Sequence, residues 1–86
     1  MLCERCGQQR AAEMHHRKNR SQGGAWTPAN ILYLCSPCHV FVTQNPASGR
    51  DGGWCLKGFD DPEQVAVLVR DQLMLLRDDC TVEWVF

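Results

Sequence analysis

Three histidines, one asparagine and two pairs of cysteines place the reactive chemistry of this chain in its first half. His15 and His16 are adjacent, Asn30 follows, and His39 comes directly after Cys35-Ser36-Pro37-Cys38. A second Cys-x-x-Cys pair stands at Cys3 and Cys6. Cysteines three apart bring two thiolates onto one ion, and tetrahedral zinc takes four, so Cys3, Cys6, Cys35 and Cys38 read as a closed structural Zn2+ site. A site closed by four protein ligands folds the chain rather than transforming a substrate. A disulfide framework and buried free thiols are the alternatives. The paired spacing argues against both, as does the start of the first pair at residue 3 without a preceding apolar run. Cys55 and Cys80 lack such spacing and read as small apolar fillers.

The adjacent histidines call for a different chemistry. On a strand neighbouring side chains point to opposite faces, so His15 and His16 cannot do the same work. One can ligate a metal while the other accepts a proton. A histidine pair alone is ordinary surface decoration. This pair is followed by Asn30 and His39 in an interval whose ends the zinc site would hold, which brings the three imidazoles within reach of each other.

These side chains need elements to position them. Residues 1–7 read as the first zinc knuckle. Residues 11–17 read as a strand with Met14 and His16 on one face and His15 on the other. Residues 19–26 are a loop by composition. Thr27-Pro28 caps a short turn containing Asn30, and residues 31–34 are a buried strand leading to Cys35. Ser36-Pro37 repeats the cap-plus-proline signature, so a helix should begin at Pro37 and stop before Pro46. His39 then lies in its first turn, at the end of the helix dipole that favours an anion. Residues 46–53 read as a linker and 54–59 as a short apolar piece. Residues 65–69, 72–76 and 81–85, rich in branched and aromatic side chains, predict an antiparallel meander, with a helix over 62–76 as its competitor.

The whole is an α+β chain of 86 residues in one domain: a core over 1–46 and an extension over 47–86 packed on it. At that size an apolar core is marginal, and a metal staple is the usual remedy. Net charge is −1, but residues 1–50 hold six Lys/Arg against two acids and residues 51–86 hold three against eight. The half with the clustered ligands is the basic half, which admits a nucleic-acid partner despite the net charge. No apolar run of membrane length is present, and the free thiolates point to a reducing cytoplasm.

Cys3-x-x-Cys6, Glu13-Met14-His15-His16-Arg17, Arg20-Ser21-Gln22-Gly23-Gly24, Asn30-Ile31-Leu32-Tyr33-Leu34-Cys35 and Cys38-His39 together resemble an HNH endonuclease. The type resembled is the small zinc-stapled one of phages and mobile elements, in the His-Me finger (ββα-metal) superfamily. The resemblance covers residues 3–46 and implies a two-stranded ribbon and a helix around one divalent ion. Carried onto this chain, His16 matches the general base. His15 and His39 match ligands of the catalytic ion, and aspartate is common in the family at the His15 position. Asn30 matches the central asparagine, which in some members ligates the ion and in others braces the loop. A further histidine found in some members is Thr43 here.

The resemblance implies metal-dependent hydrolysis of DNA to a 5′-phosphate and a 3′-hydroxyl. The catalytic ion would be Mg2+, Mn2+, Ni2+ or Zn2+; imidazole ligands favour the softer ions, and abundance favours Mg2+. Arg17, Lys18 and Arg20 are expected to contact DNA phosphates, which gives affinity without sequence information. Trp26 is expected in the core. A monomer would nick with low specificity, a dimer being the alternative, and a larger phage machine such as a terminase is a conceivable further partner. The rival function is a non-catalytic zinc-ribbon module that binds DNA or protein.

Overall fold

The computed structural model describes residues 1–85. β1 (Glu13–His16) pairs antiparallel with β2 (Ile31–Leu34), setting Glu13 opposite Leu34 and His16 opposite Ile31. Alternation along β1 turns His15 inward, 5 % exposed, while Met14 remains half exposed on the other face. β2 leads to Cys35, whose extended backbone caps α1 (Ser36–Gln44) with Pro37 in its first turn. Proline fits there because the N–H it lacks would have no helical partner. The helix ends before Pro46, as expected.

The stretch 46–53 is not a linker. Pro46 opens a second helix, α2 (Pro46–Asp51), again from its first turn. Gly49, which reads as a flexible residue, is instead a close-packing position: a Cβ there would lie 2.8 Å from Cys55 Sγ. α2 thus folds back against the chain that follows it, and the boundary drawn between residues 46 and 47 falls in its first turn.

The C-terminal part is an antiparallel meander of β3 (Val67–Val69), β4 (Gln72–Leu76) and β5 (Val82–Trp84), in that spatial order. The competing helix is excluded by its turn. Arg70 and Asp71 both have positive φ, 50° and 67°, the mirror-image hairpin conformation whose twist matches the flanking strands. The core joins both halves: Cys3, Leu32, Leu34, Cys35, Cys38 and Val42 pack with Trp54, Val67, Val69 and Met74. Thiols thus occupy the centre of the core. Trp26 departs from expectation; it is 58 % exposed, and Trp54 is the tryptophan the core takes in. Trp54 also donates its indole N–H to the Leu68 carbonyl at 2.8 Å, satisfying the polar atom that burial would orphan. No helix among the described residues is long and apolar enough to cross a membrane.

Candidate functional site

The four paired cysteines converge. The sulfurs of Cys3, Cys6, Cys35 and Cys38 all lie within 4.8 Å of one another, with Cys6 and Cys35 3.9 Å apart. Zinc–sulfur bonds of about 2.3 Å in a tetrahedron separate the sulfurs by about 3.8 Å, so the cluster fits zinc. Backbone N–H groups of Arg5 and Gln8 point at the sulfurs of Cys3 and Cys6, each at 3.4 Å. The thiols are unequal. Burial works against the Cys3 thiolate, but N–H groups of Cys35, Cys6 and Arg5 outweigh it and bring its pKa to about 6. Burial pushes Cys38 up to about 12, opposed by Arg5. The Arg5 guanidinium lies 4.1 Å from the Phe41 ring and 4.5 Å from the Trp54 ring, and its Nη1 donates to Cys38 Sγ at 3.3 Å. A cation held between two aromatic faces is well suited to offset the −2 charge of a four-thiolate zinc site.

On the inner face of β1, His15 meets His39 from the first turn of α1, with ring centroids 5.1 Å apart. Each ring is anchored through one nitrogen. His15 Nε2 lies 2.6 Å from the Trp54 carbonyl, which can only accept, so Nε2 carries the proton and Nδ1 keeps the lone pair. His39 Nδ1 lies 2.8 Å from Glu13 Oε1, which leaves Nε2 free. Fixing one ring nitrogen to a carbonyl or carboxylate is how a metal-binding histidine is oriented. Two imidazoles sharing an ion at about 2.1 Å place their centroids about 5 Å apart, in agreement with this pair. Burial lowers the His15 pKa, which favours the neutral form an ion requires. Its hydrogen bond to His39 holds the Glu13 carboxyl below its ordinary value, with Ser36 contributing. Thr43 adds no imidazole; its hydroxyl bonds back to the His39 and Val40 carbonyls.

Of the two roles left open for Asn30, its hydrogen bonds match the brace. It is 1 % exposed, its Oδ1 accepts from the Lys18 backbone N–H, and its Nδ2 donates to the carbonyls of Lys18 and Ala25. Both ends of the amide are therefore committed to closing the loop after β1.

His16 occupies the outer face, its ring edge-on to Trp26 with centroids 4.2 Å apart and its Nε2 buried without a partner. The structure therefore brings His15 and His39 together and sets His16 across the strand from them.

Arg17 corrects an expectation. It contacts no solvent and so no phosphate, being 1 % exposed. Its guanidinium donates to four carbonyls, Gly53 at 2.8 Å, Ala29 at 2.8 Å, Pro62 at 3.0 Å and Val65 at 2.7 Å. Burial lowers its pKa to about 10, still charged at neutral pH. Arg17 thus ties β1 to the C-terminal extension, as does the Leu56 N–H bonded to the Arg17 carbonyl at 2.7 Å. Lys18 is half-buried and lines a small pocket with Asp61, Glu63 and Asp78, while Arg20 is exposed with its guanidinium 5.8 Å from Trp26.

Sequence reasoning missed Glu13, Arg5 and the Trp54 carbonyl. Glu13 had a signal, since it is two residues before His15 and shares its face. Arg5, between the knuckle cysteines, had a weaker one. The Trp54 carbonyl had none.

A family model described as HNH endonuclease matches residues 3–44. No curated protein and no solved structure matches the chain.

Proposed function

We propose, from the match of residues 3–44 to a family model described as HNH endonuclease, that the chain is a metal-dependent DNA endonuclease that hydrolyses phosphodiester bonds to a 5′-phosphate and a 3′-hydroxyl. The observation that carries this reading is the His15–His39 pair, with each ring anchored through one nitrogen and the other left for an ion. His15 Nδ1 and His39 Nε2 would hold a divalent ion, which when bound would supply Lewis-acid charge to the phosphodiester. The chain's own residues do the rest. His16 matches the family's general base; to take a proton from the attacking water its imidazole, edge-on to Trp26, would have to turn to the face of His15 and His39. Asn30 holds residues 18–25 closed and so fixes the end of the strand that carries His16. Glu13 and the Trp54 carbonyl hold the two ligand rings.

α1 packs on β1 and α2 is only six residues long, so neither is free to act as a recognition helix. Low sequence specificity follows, and one site per chain makes nicking the default product. Service in a phage or a mobile element, with a larger packaging machine as partner, is the setting in which such a nuclease would work.

The experiment is a supercoiled-plasmid assay across Mg2+, Mn2+, Ni2+ and Zn2+ with the parent protein beside His16→Ala. Nicking by the parent and its loss in the variant, with zinc content and DNA affinity retained, is the expected result. A second reading, a non-catalytic zinc module that binds DNA, draws on one observation: His16 lies across the strand from His15 and His39, with its Nε2 buried. Nicking that survives His16→Ala removes His16 as base; no nicking with any ion leaves the binding module.

A further inference from the structure

Of the three expected phosphate contacts, Arg17 is buried, Lys18 shares a small pocket with three carboxylates, and Arg20 is exposed. A different cationic surface lies beside His15. A cleft of about 320 Å³ is lined by His15, Thr43, Pro46, Arg50, Cys55 and Lys57. None of its lining residues is a carboxylate, although residues 51–86 carry eight. Arg50 and Lys57 are both exposed, and neither forms an ion pair among the described residues. The nearest acid in sequence to Lys57, Asp60, turns its Oδ2 to the Lys57 backbone N–H at 2.8 Å. Behind them the Arg17 cation, bonded to four carbonyls and within the field of the Asp60 carboxylate, borders the same cleft. Charges of one sign in a low-dielectric recess focus a positive potential at its mouth.

The backbone that carries these cations is held in place. Arg50 lies in the last turn of α2, whose Gly49 carbonyl accepts the N–H groups of Trp54 and Cys55 at 2.9 and 3.0 Å. Lys57 follows Leu56, which is bonded to the Arg17 carbonyl. The segment between them contributes the Trp54 carbonyl that orients His15. One brace, outside the family-matched residues, thus positions a ligand ring and two free cations together.

We propose that Arg50 and Lys57 form the DNA-backbone clamp of this nuclease, seating the phosphates of one strand in the cleft above His15. The inference rests on the nuclease reading for its orientation, but it concerns binding and can be tested apart from cleavage. The cleft is too small for a duplex and suits a phosphodiester and its sugar.

The test is fluorescence anisotropy of a labelled DNA duplex over a salt series, using zinc-loaded His16→Ala protein so that no strand is cut. Into this background are placed Arg50→Ala with Lys57→Ala, each change singly, the swap Arg50→Lys with Lys57→Arg, and Arg77→Ala as a surface control. Losing two phosphate contacts should lower the slope of log K against log salt by about 1.8 and the affinity near 0.1 M salt roughly sixtyfold. The single changes should each give about half the slope change, and the swap and the control should keep the parent slope. An unchanged slope in the double variant, a slope lost equally in Arg77→Ala, or no DNA binding by the parent overturns the clamp. If the slope falls as expected but native protein nicks no plasmid, the clamp stands and the nuclease reading fails. If native protein nicks and the slope is unchanged, the clamp alone fails.

Discussion

Replacing Arg17 with methionine keeps most of the side-chain volume and removes the guanidinium whose donors reach four carbonyls at 2.7–3.0 Å. A hydrogen bond from a charged donor is worth about 1.5–3 kcal/mol, but the buried cation also carries a desolvation cost of several kcal/mol. Most of the four-bond sum is therefore offset. Removing one side of a buried charged arrangement costs about 3–5 kcal/mol, because the carbonyls left behind keep their own desolvation penalty. A domain of this size has only about 5–15 kcal/mol in total. At about 4–8 °C per kcal/mol, the midpoint should fall by about 12–40 °C. The assay is thermal unfolding followed by far-UV circular dichroism in saturating zinc, with Arg17→Lys beside it. Lysine keeps the charge but has no planar fork, so it should recover only part of the loss. A midpoint shift below about 3 °C, joined to a fall in DNA affinity, would refute the reasoning and return Arg17 to the phosphate-contact role.

Zinc removal should unfold the core rather than merely silence it, because the four thiols stand inside the apolar cluster. Strong chelation should release one zinc per chain together with loss of the circular dichroism signal, and Cys35→Ser should reproduce the effect. Glu13→Ala frees His39 Nδ1 and should weaken catalytic-ion affinity or nicking by about ten- to a hundredfold without loss of structural zinc. Titrating nicking rate against ion concentration reads that out. His15 has a folded pKa lowered by burial, so the unfolded chain takes up its proton first. The stability of the neutral buried ring is complete above about pH 6.5 and is lost as pH falls through the lower folded pKa. Urea midpoints of parent and His15→Gln should therefore converge as pH is lowered, a trend a fully exposed imidazole would not show.

Much of the architecture was legible because it rests on local patterns. Two Cys-x-x-Cys pairs admit few geometries, and their sulfurs converge. Adjacent residues on a strand must diverge, so His15 and His16 face opposite ways. Proline after serine fits only the first turn of α1, and branched runs broken by Arg70-Asp71 fold as a meander. Composition misled at residues 46–53: proline there starts α2, and glycine serves close packing against Cys55 rather than freedom.

What could not be read has a common physical origin. Arginine is ordinarily a surface residue, and no pattern near Arg17 marks it as buried. Its partners are carbonyls of residues 29, 53, 62 and 65, and every residue type carries that same acceptor. The Trp54 carbonyl that orients His15 is equally anonymous in the sequence, as are the backbone groups that turn Asn30 from a possible ligand into a brace. Likewise, nothing local says which tryptophan is covered; contacts with the meander bury Trp54, while Trp26 stays exposed beside His16. Side-chain chemistry is written along the chain residue by residue. The backbone dipoles that aim it acquire identity only from their position, and position arises when distant segments pack.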